Sequence, residues 1–315
     1  MVWIITTYCR FRILKVRGLL MLRRTTENDD HVFQNELYSK MNAFDIQGLT
    51  MNASRDKFTA GVEYFDLSYE EYRKVKQGYS VYELVGMLPF ELIKAQAILT
   101  GQLRIPLYYI WGYEDDFLLH EIYFNGDKLE YKQWWNNTEQ LVSFWYKRKQ
   151  TVQTHPFDRN GAKHRAGKTR IDGILEAAEL EWGGNIDGFI IDDNNVTAII
   201  DCISIGPASQ RNTHDLSDPK ADPALYFYQR GPKYATWLST ITLAQALIVP
   251  HLLFTLNKVD MKQEAIGLTD IDYLTKTGIN YYQSLAPNQN VVYGLDNVVN
   301  NVDKLLGQLS VPRVL

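Results

Sequence analysis

The sequence predicts an α/β protein of two compact parts, and three observations carry that prediction. Its 315 residues exceed the roughly 100–200 of one ordinary domain. Short apolar runs with strand character alternate with helical patterns along the whole chain. The second half reads, in order, as helix, strand, strand, helix and strand, while the first half reads as a smaller α/β or α+β domain. The expected bounds are a basic extension without regular structure at 1–24, an N-terminal domain at 25–150, a linker or ligand-facing loop at 151–168, and a C-terminal domain at 169–315.

The extension mixes apolar residues with Arg10, Arg12, Lys15, Arg17, Arg23 and Arg24 and holds no acid. These charges break every apolar run short of the ~20 residues a membrane span needs, and the order of a signal peptide is missing. Residues 32–41 look helical, 58–67 read as a strand, and 69–77 as a charged helix. Leu84, Leu88, Leu92, Ala95 and Leu99 recur at helical spacing, with Pro89 dividing the segment in two. Aromatic-rich runs at 107–111 and 118–124 form a hairpin. The stretch 151–168, with His155, Asp158, Lys163 and Arg165, leaves little to bury. Beyond it come a helix at 169–182, two strands at 188–191 and 196–205 turning at Asp193-Asn194-Asn195, a polar loop, a helix at 233–247 and a strand at 251–256. Helices at 270–277 and 298–306 close the chain.

A weak echo links the halves. Ala95-Gln96-Ala97 before Ile105-Pro106-Leu107 resembles Ala244-Gln245-Ala246 before Val249-Pro250-His251. Two diverged copies of one unit and two unrelated units sharing a connection both fit it.

Composition narrows the function. A formal charge of −4 gives no global attraction to nucleic acid, so DNA binding needs a local basic surface. Cys9 and Cys202 are the only cysteines, too few for a disulfide framework or a cysteine-built zinc site, and they fit a reducing, cytoplasmic location. No Gly-rich phosphate loop, Gly-x-Ser-x-Gly elbow or His-Glu-x-x-His helix occurs. Lys128, Lys132, Trp134, Trp135, Trp145, Tyr146, Lys147, Arg148 and Lys149 interleave bases with aromatics, as a strand-stacking surface or a core with a basic rim would.

The sharpest signal is Asn185-Ile186-Asp187-Gly188 followed across the turn by Asp201-Cys202-Ile203. If the strands pair about Asn194, Asp187 and Asp201 lie opposite one another, close enough to share one cation. Asp201 stands in an apolar run, where a carboxylate is costly unless paired. Gln210, Arg211, Arg230 and Lys168 lie in flanking loops and suit phosphate, and Pro232 and Lys233 suit a helix start whose N–H groups attract anions.

Asp187, Asp201 and the α-β-β-α-β order over 169–256 resemble the PD-(D/E)XK (restriction-endonuclease-like) nuclease superfamily. The resemblance implies a magnesium- or manganese-dependent DNA endonuclease of restriction or mobile-element type, with Asp187 and Asp201 as metal ligands. It also implies a further acidic ligand from the preceding helix, Glu176 or Asp172. The family's lysine falls on Ile203, so Lys233 or Lys168 would replace it, or the chain keeps the fold as an inactive module that binds nucleic acid or a protein partner. DNA is the expected partner, no membrane is expected, and a homodimer is left open.

Overall fold

The computed structural model describes residues 38, 40–85, 90–125, 128–153, 169–180, 183–205, 234–257, 263–272, 281–284, 306 and 313–314. They belong to two compact units, one built on Ile46–Asn185 and the other on Thr26–Asp45 with Ile186–Leu315. The fold is mixed α/β.

The first unit carries strands β1 (Ala43–Met51, from Ile46 onward), β2 (Phe58–Asp66), β3 (Leu107–Tyr113), β4 (Asp116–Asn125) and β5 (Lys128–Asn137), side by side in that order. β1 and β2 are antiparallel, β2 and β3 parallel, and β3, β4 and β5 antiparallel again. Helices α1 (Tyr69–Lys76), α2 (Val81–Val85) and α3 (Phe90–Gln102) lie between β2 and β3, and α4 (Thr138–Arg148) and α5 (Arg170–Ala177) follow β5. The expected division at Pro89 falls in 86–89, which lie outside the described residues. Capping boxes at Ser68/Glu71, Asn137/Gln140 and Thr169/Asp172 satisfy the first-turn N–H groups of α1, α4 and α5.

One face of this sheet buries Ala60, Val62, Tyr64, Ile110 and Leu119 against Leu141, Val142 and Trp145 of α4 and Ile171, Ile174 and Leu175 of α5. Helix α5 therefore belongs to the first unit, whereas the sequence reading makes it the opening helix of the C-terminal domain. Its apolar stripe at 171, 174 and 175 is the reason: that stripe is buried on the first sheet. On the other face α3 lies directly over β2. A Cβ on Gly61 would come within 2.5 Å of Thr100 Cγ2, so the strand needs glycine there.

The second unit repeats the pattern with β6 (Gly184–Asp192, from Ile186 onward), β7 (Asn195–Ile205), β8 (His251–Asn257), β9 (Gln263–Asp272) and β10 (Tyr281–Ser284) in order, and β11 (Arg313–Val314) parallel to β9. β6–β7 is antiparallel, β7–β8 parallel across helix α6 (Tyr234–Leu247), and β8–β9–β10 antiparallel. Asp193 and Asn194 hold φ of 45° and 60°, the left-handed pair a two-residue hairpin turn demands. Residues 270–272, expected in a helix, are strand, because Asp270 and Ile271 pair with Gln283 and Tyr282 of β10 and the ladder overrides local preference. Residues 273–277, and all of 298–306 except helical Leu306, lie outside the described residues, as do most of 32–41 and the 1–24 extension.

The repeat extends to single bonds. Gly61 faces Leu107 and Ile199 faces His251, and each receives the same support: Gly61 N–H to Pro106 O and Ile199 N–H to Pro250 O, at 2.9 and 3.0 Å. Before each proline the helix ends on a left-handed residue, Arg104 at φ 56° and Ile248 at φ 58°. The equivalence sets Thr100 with Ala244, through matching bonds from Ile105 and Val249. The Pro106 and Pro250 part of the echo is thus structural, and the two Ala-Gln-Ala strings are not equivalent.

Candidate functional site

Hairpin β6–β7 positions the two aspartates. Its register runs Gly188↔Ile200, Phe189↔Ile199, Ile190↔Ala198, so the next position sets Asp187 opposite Asp201. A one-residue bulge between Ile190 and Ile191 reconciles this register with the two-residue turn.

Asp201 is 6% exposed, and its Oδ2 accepts a 2.6 Å hydrogen bond from His251 Nε2–H. His251 is fully buried at the start of β8, in register with Ile199, and hence on the same face as Asp201. A hydrogen bond to a carboxylate of this length is of the strong, charge-assisted kind. Asp187 is half-buried; its Oδ2 accepts the backbone N–H of Cys202 at 3.1 Å, and its carbonyl accepts the Tyr38 hydroxyl. The Tyr38 ring covers Gly188, where a Cβ would come within 2.6 Å of the phenol oxygen, so the glycine after Asp187 is a packing requirement. Burial, reinforced by Cys202, Asp187 and Asp45, holds the Tyr38 phenol well above its usual pKa.

The first unit supplies a natural control. By register, Gln47 stands where Asp187 does and Glu63 where Asp201 does. Gln47 Oε1 accepts the backbone N–H of Tyr64 at 2.6 Å, the bond that Asp187 makes to Cys202. Glu63, fully buried, accepts from Gln96 Nε2 at 2.5 Å and from the Gln47 backbone N–H at 3.2 Å. Tyr109 in turn donates to Gln96 Oε1. Two positions beyond Glu63 stands Phe65, stacked on Trp111 at 4.3 Å, and two beyond Asp201 stands Ile203, in register with Thr255. Neither unit has a cation at that strand position.

Of the other candidates, Glu176 is exposed on α5 in the first unit, and Asp172 is the capping residue of that helix, bonded to Thr169 N–H and Oγ at 2.9 and 2.7 Å. Lys233, Lys168, Gln210, Arg211 and Arg230 lie outside the described residues. The basic and aromatic stretch divides between β5 and α4: Trp145 is fully buried, Trp134, Phe144 and Tyr146 pack against the core, and Arg148 lies near the Tyr108 and Phe144 rings. Lys128, Lys132 and Lys147 are exposed, and Lys149 is buried. Sequence reasoning does not single out His251, Glu63 or Gln96 as site residues. Glu63 carried the same signal as Asp201, a carboxylate inside an apolar strand; His251 carried only its place after Pro250.

Among the described residues Asp187 and Asp201 are the two carboxylates the hairpin sets opposite one another, and each already accepts a bond from the chain itself. Asp201 Oδ2 accepts the His251 N–H, Asp187 Oδ2 accepts the Cys202 N–H, and no group of three His, Cys, Asp or Glu among the described residues could hold a metal. No helix among them is long and apolar enough to cross a membrane. Compared with protein-family models, curated proteins and solved structures, the chain matches none.

Proposed function

We propose that the chain is a DNA-binding module with a nuclease-like core that does not cut. The observation that carries this reading is the engagement of the acidic positions in both units by the chain's own donors. The Asp187 bond is reproduced in the first unit by a neutral glutamine, and an apolar residue occupies the lysine position in each. The polar, cationic stretches of sequence around Arg211 and Arg230 support DNA as the partner.

A magnesium-dependent endonuclease is the second reading, favoured by the register that sets Asp187 opposite Asp201. DNA binding by fluorescence anisotropy and plasmid nicking with magnesium or manganese separate the two. The expected result is salt-dependent binding, weakened by Arg211→Ala and Arg230→Ala, with no nicking by the wild type. Nicking by the wild type that disappears in Asp187→Asn would establish the endonuclease and overturn the non-cutting reading. Absence of DNA binding would overturn the choice of partner.

A further inference from the structure

We propose that β5 is a pairing edge for a second copy of this chain. The strand ends the first unit's sheet, and among the described residues no strand lies on its far side. It is ten residues long, and its register against β4 runs unbroken from Asp116↔Asn137 to Asn125↔Lys128. None of its residues is buried, and it contains no proline. Long, regular edges of this kind present a row of backbone donors and acceptors that another strand can complete, and proteins usually blunt them with bulges, prolines or isolated lysines. The pairs β1–β2, β6–β7 and β9–β10 have shifted registers; β4–β5 has none.

The lysines here do not stand alone. Lys128, Glu130, Lys132 and Trp134 alternate along one face of β5. Two copies paired antiparallel about Tyr131 set Glu130 opposite Lys132 of the second copy, twice by symmetry, and Lys128 opposite its Trp134. Moving the axis one residue either way sets Lys132 against Lys132 or Glu130 against Glu130. One register is therefore favoured by charge and its neighbours are opposed. Glu130 is otherwise bonded through Oε1 to Asn125 Nδ2 at 3.0 Å, and the Lys132 ammonium lies 5.3 Å from the Tyr123 ring, surface contacts that are worth little alone.

Sedimentation velocity at rising concentration tests the interface. The wild type should move from the 36.5 kDa monomer toward twice that mass. Lys132→Glu and Glu130→Lys should each weaken self-association by about tenfold, since each turns both cross-strand pairs repulsive. Mixing the two variants sets an acidic strand against a basic one and should restore the dimer as a heterodimer. A wild type that stays monomeric overturns the proposal. So does a dimer indifferent to both substitutions, or a pair of weakened variants that mixing fails to rescue.

Discussion

The two units share one strand pattern and differ in how they fill the row that crosses it. In the first, Gln47, Glu63, Tyr109, His120 and Gln133 follow one another from strand to strand, with Gln96 and Tyr82 bonded to members of the row. In the second, the equivalent positions run Asp187, Asp201, Leu253 and Ile266. That row is polar across five strands of the first sheet and across two of the second, where His251, two residues before Leu253 on β8, reaches Asp201 from outside the row. A buried carboxylate on the second strand is thus common to both, and what varies is the donor that holds it: a helix amide in one unit, a strand histidine in the other. A shared packing position explains such a carboxylate more economically than a metal site present in only one unit.

The difference can be broken most sharply at the donors. His251→Leu gives the second unit the residue that Leu107 supplies in the first, and strands Asp201 in a buried site. The expected loss is about 3 kcal/mol by urea denaturation, most of it recovered when Asp201→Asn is added. A loss below ~1 kcal/mol would mean that His251 does not hold the carboxylate.

His120 has no imidazole counterpart in the second unit and should dominate the first unit's acid sensitivity. Burial pushes its pKa from 6.5 down to about 3, opposed only by Gln133. The unfolded chain therefore takes up a proton that the folded one refuses. Stability is unaffected above about pH 6.5 and falls as pH drops, by about 2 kcal/mol at roughly pH 5, until the folded pKa is reached. His120→Phe should flatten that part of the pH–stability profile, and an unchanged slope would assign it elsewhere.

Gln96→Leu is a gentler cut. Glu63 keeps the Gln47 N–H while losing the amide, and Tyr109 loses its acceptor, for about 1.5 kcal/mol in the same assay. The smallest effect is a gain. Ile248, β-branched and 77% exposed, is held at φ 58°, where its counterpart Arg104 suffers less; Ile248→Asn should stabilise by about 1 kcal/mol, and a larger gain from Arg104→Asn would contradict the comparison.

Much of this frame is legible in the sequence. The strands around Val62, Ile110 and Ile199, the helix ending before Pro250 and the turn at Asp193 follow from periodicity and turn chemistry. The opposition of Asp187 and Asp201 follows from counting residues about Asn194. What is not legible is set by neighbours distant in sequence. Ile171, Ile174 and Leu175 announce a buried stripe but not the sheet that buries it, so sequence alone groups α5 with the second half. The bond from Asp187 to the Cys202 N–H is not legible either, nor is its counterpart at Gln47, 140 positions earlier. His251 reveals its partner only when parallel pairing brings β8 beside β7.

The non-cutting reading requires that Asp187 and Asp201 serve the fold and not a cation. Thermal unfolding of the full chain with and without magnesium tests it directly, since only an ion bound to the folded state raises the midpoint. The expected result is the same Tm in both conditions for the wild type. A magnesium-induced rise in Tm that is present in the wild type and abolished by Asp187→Asn with Asp201→Asn would contradict it.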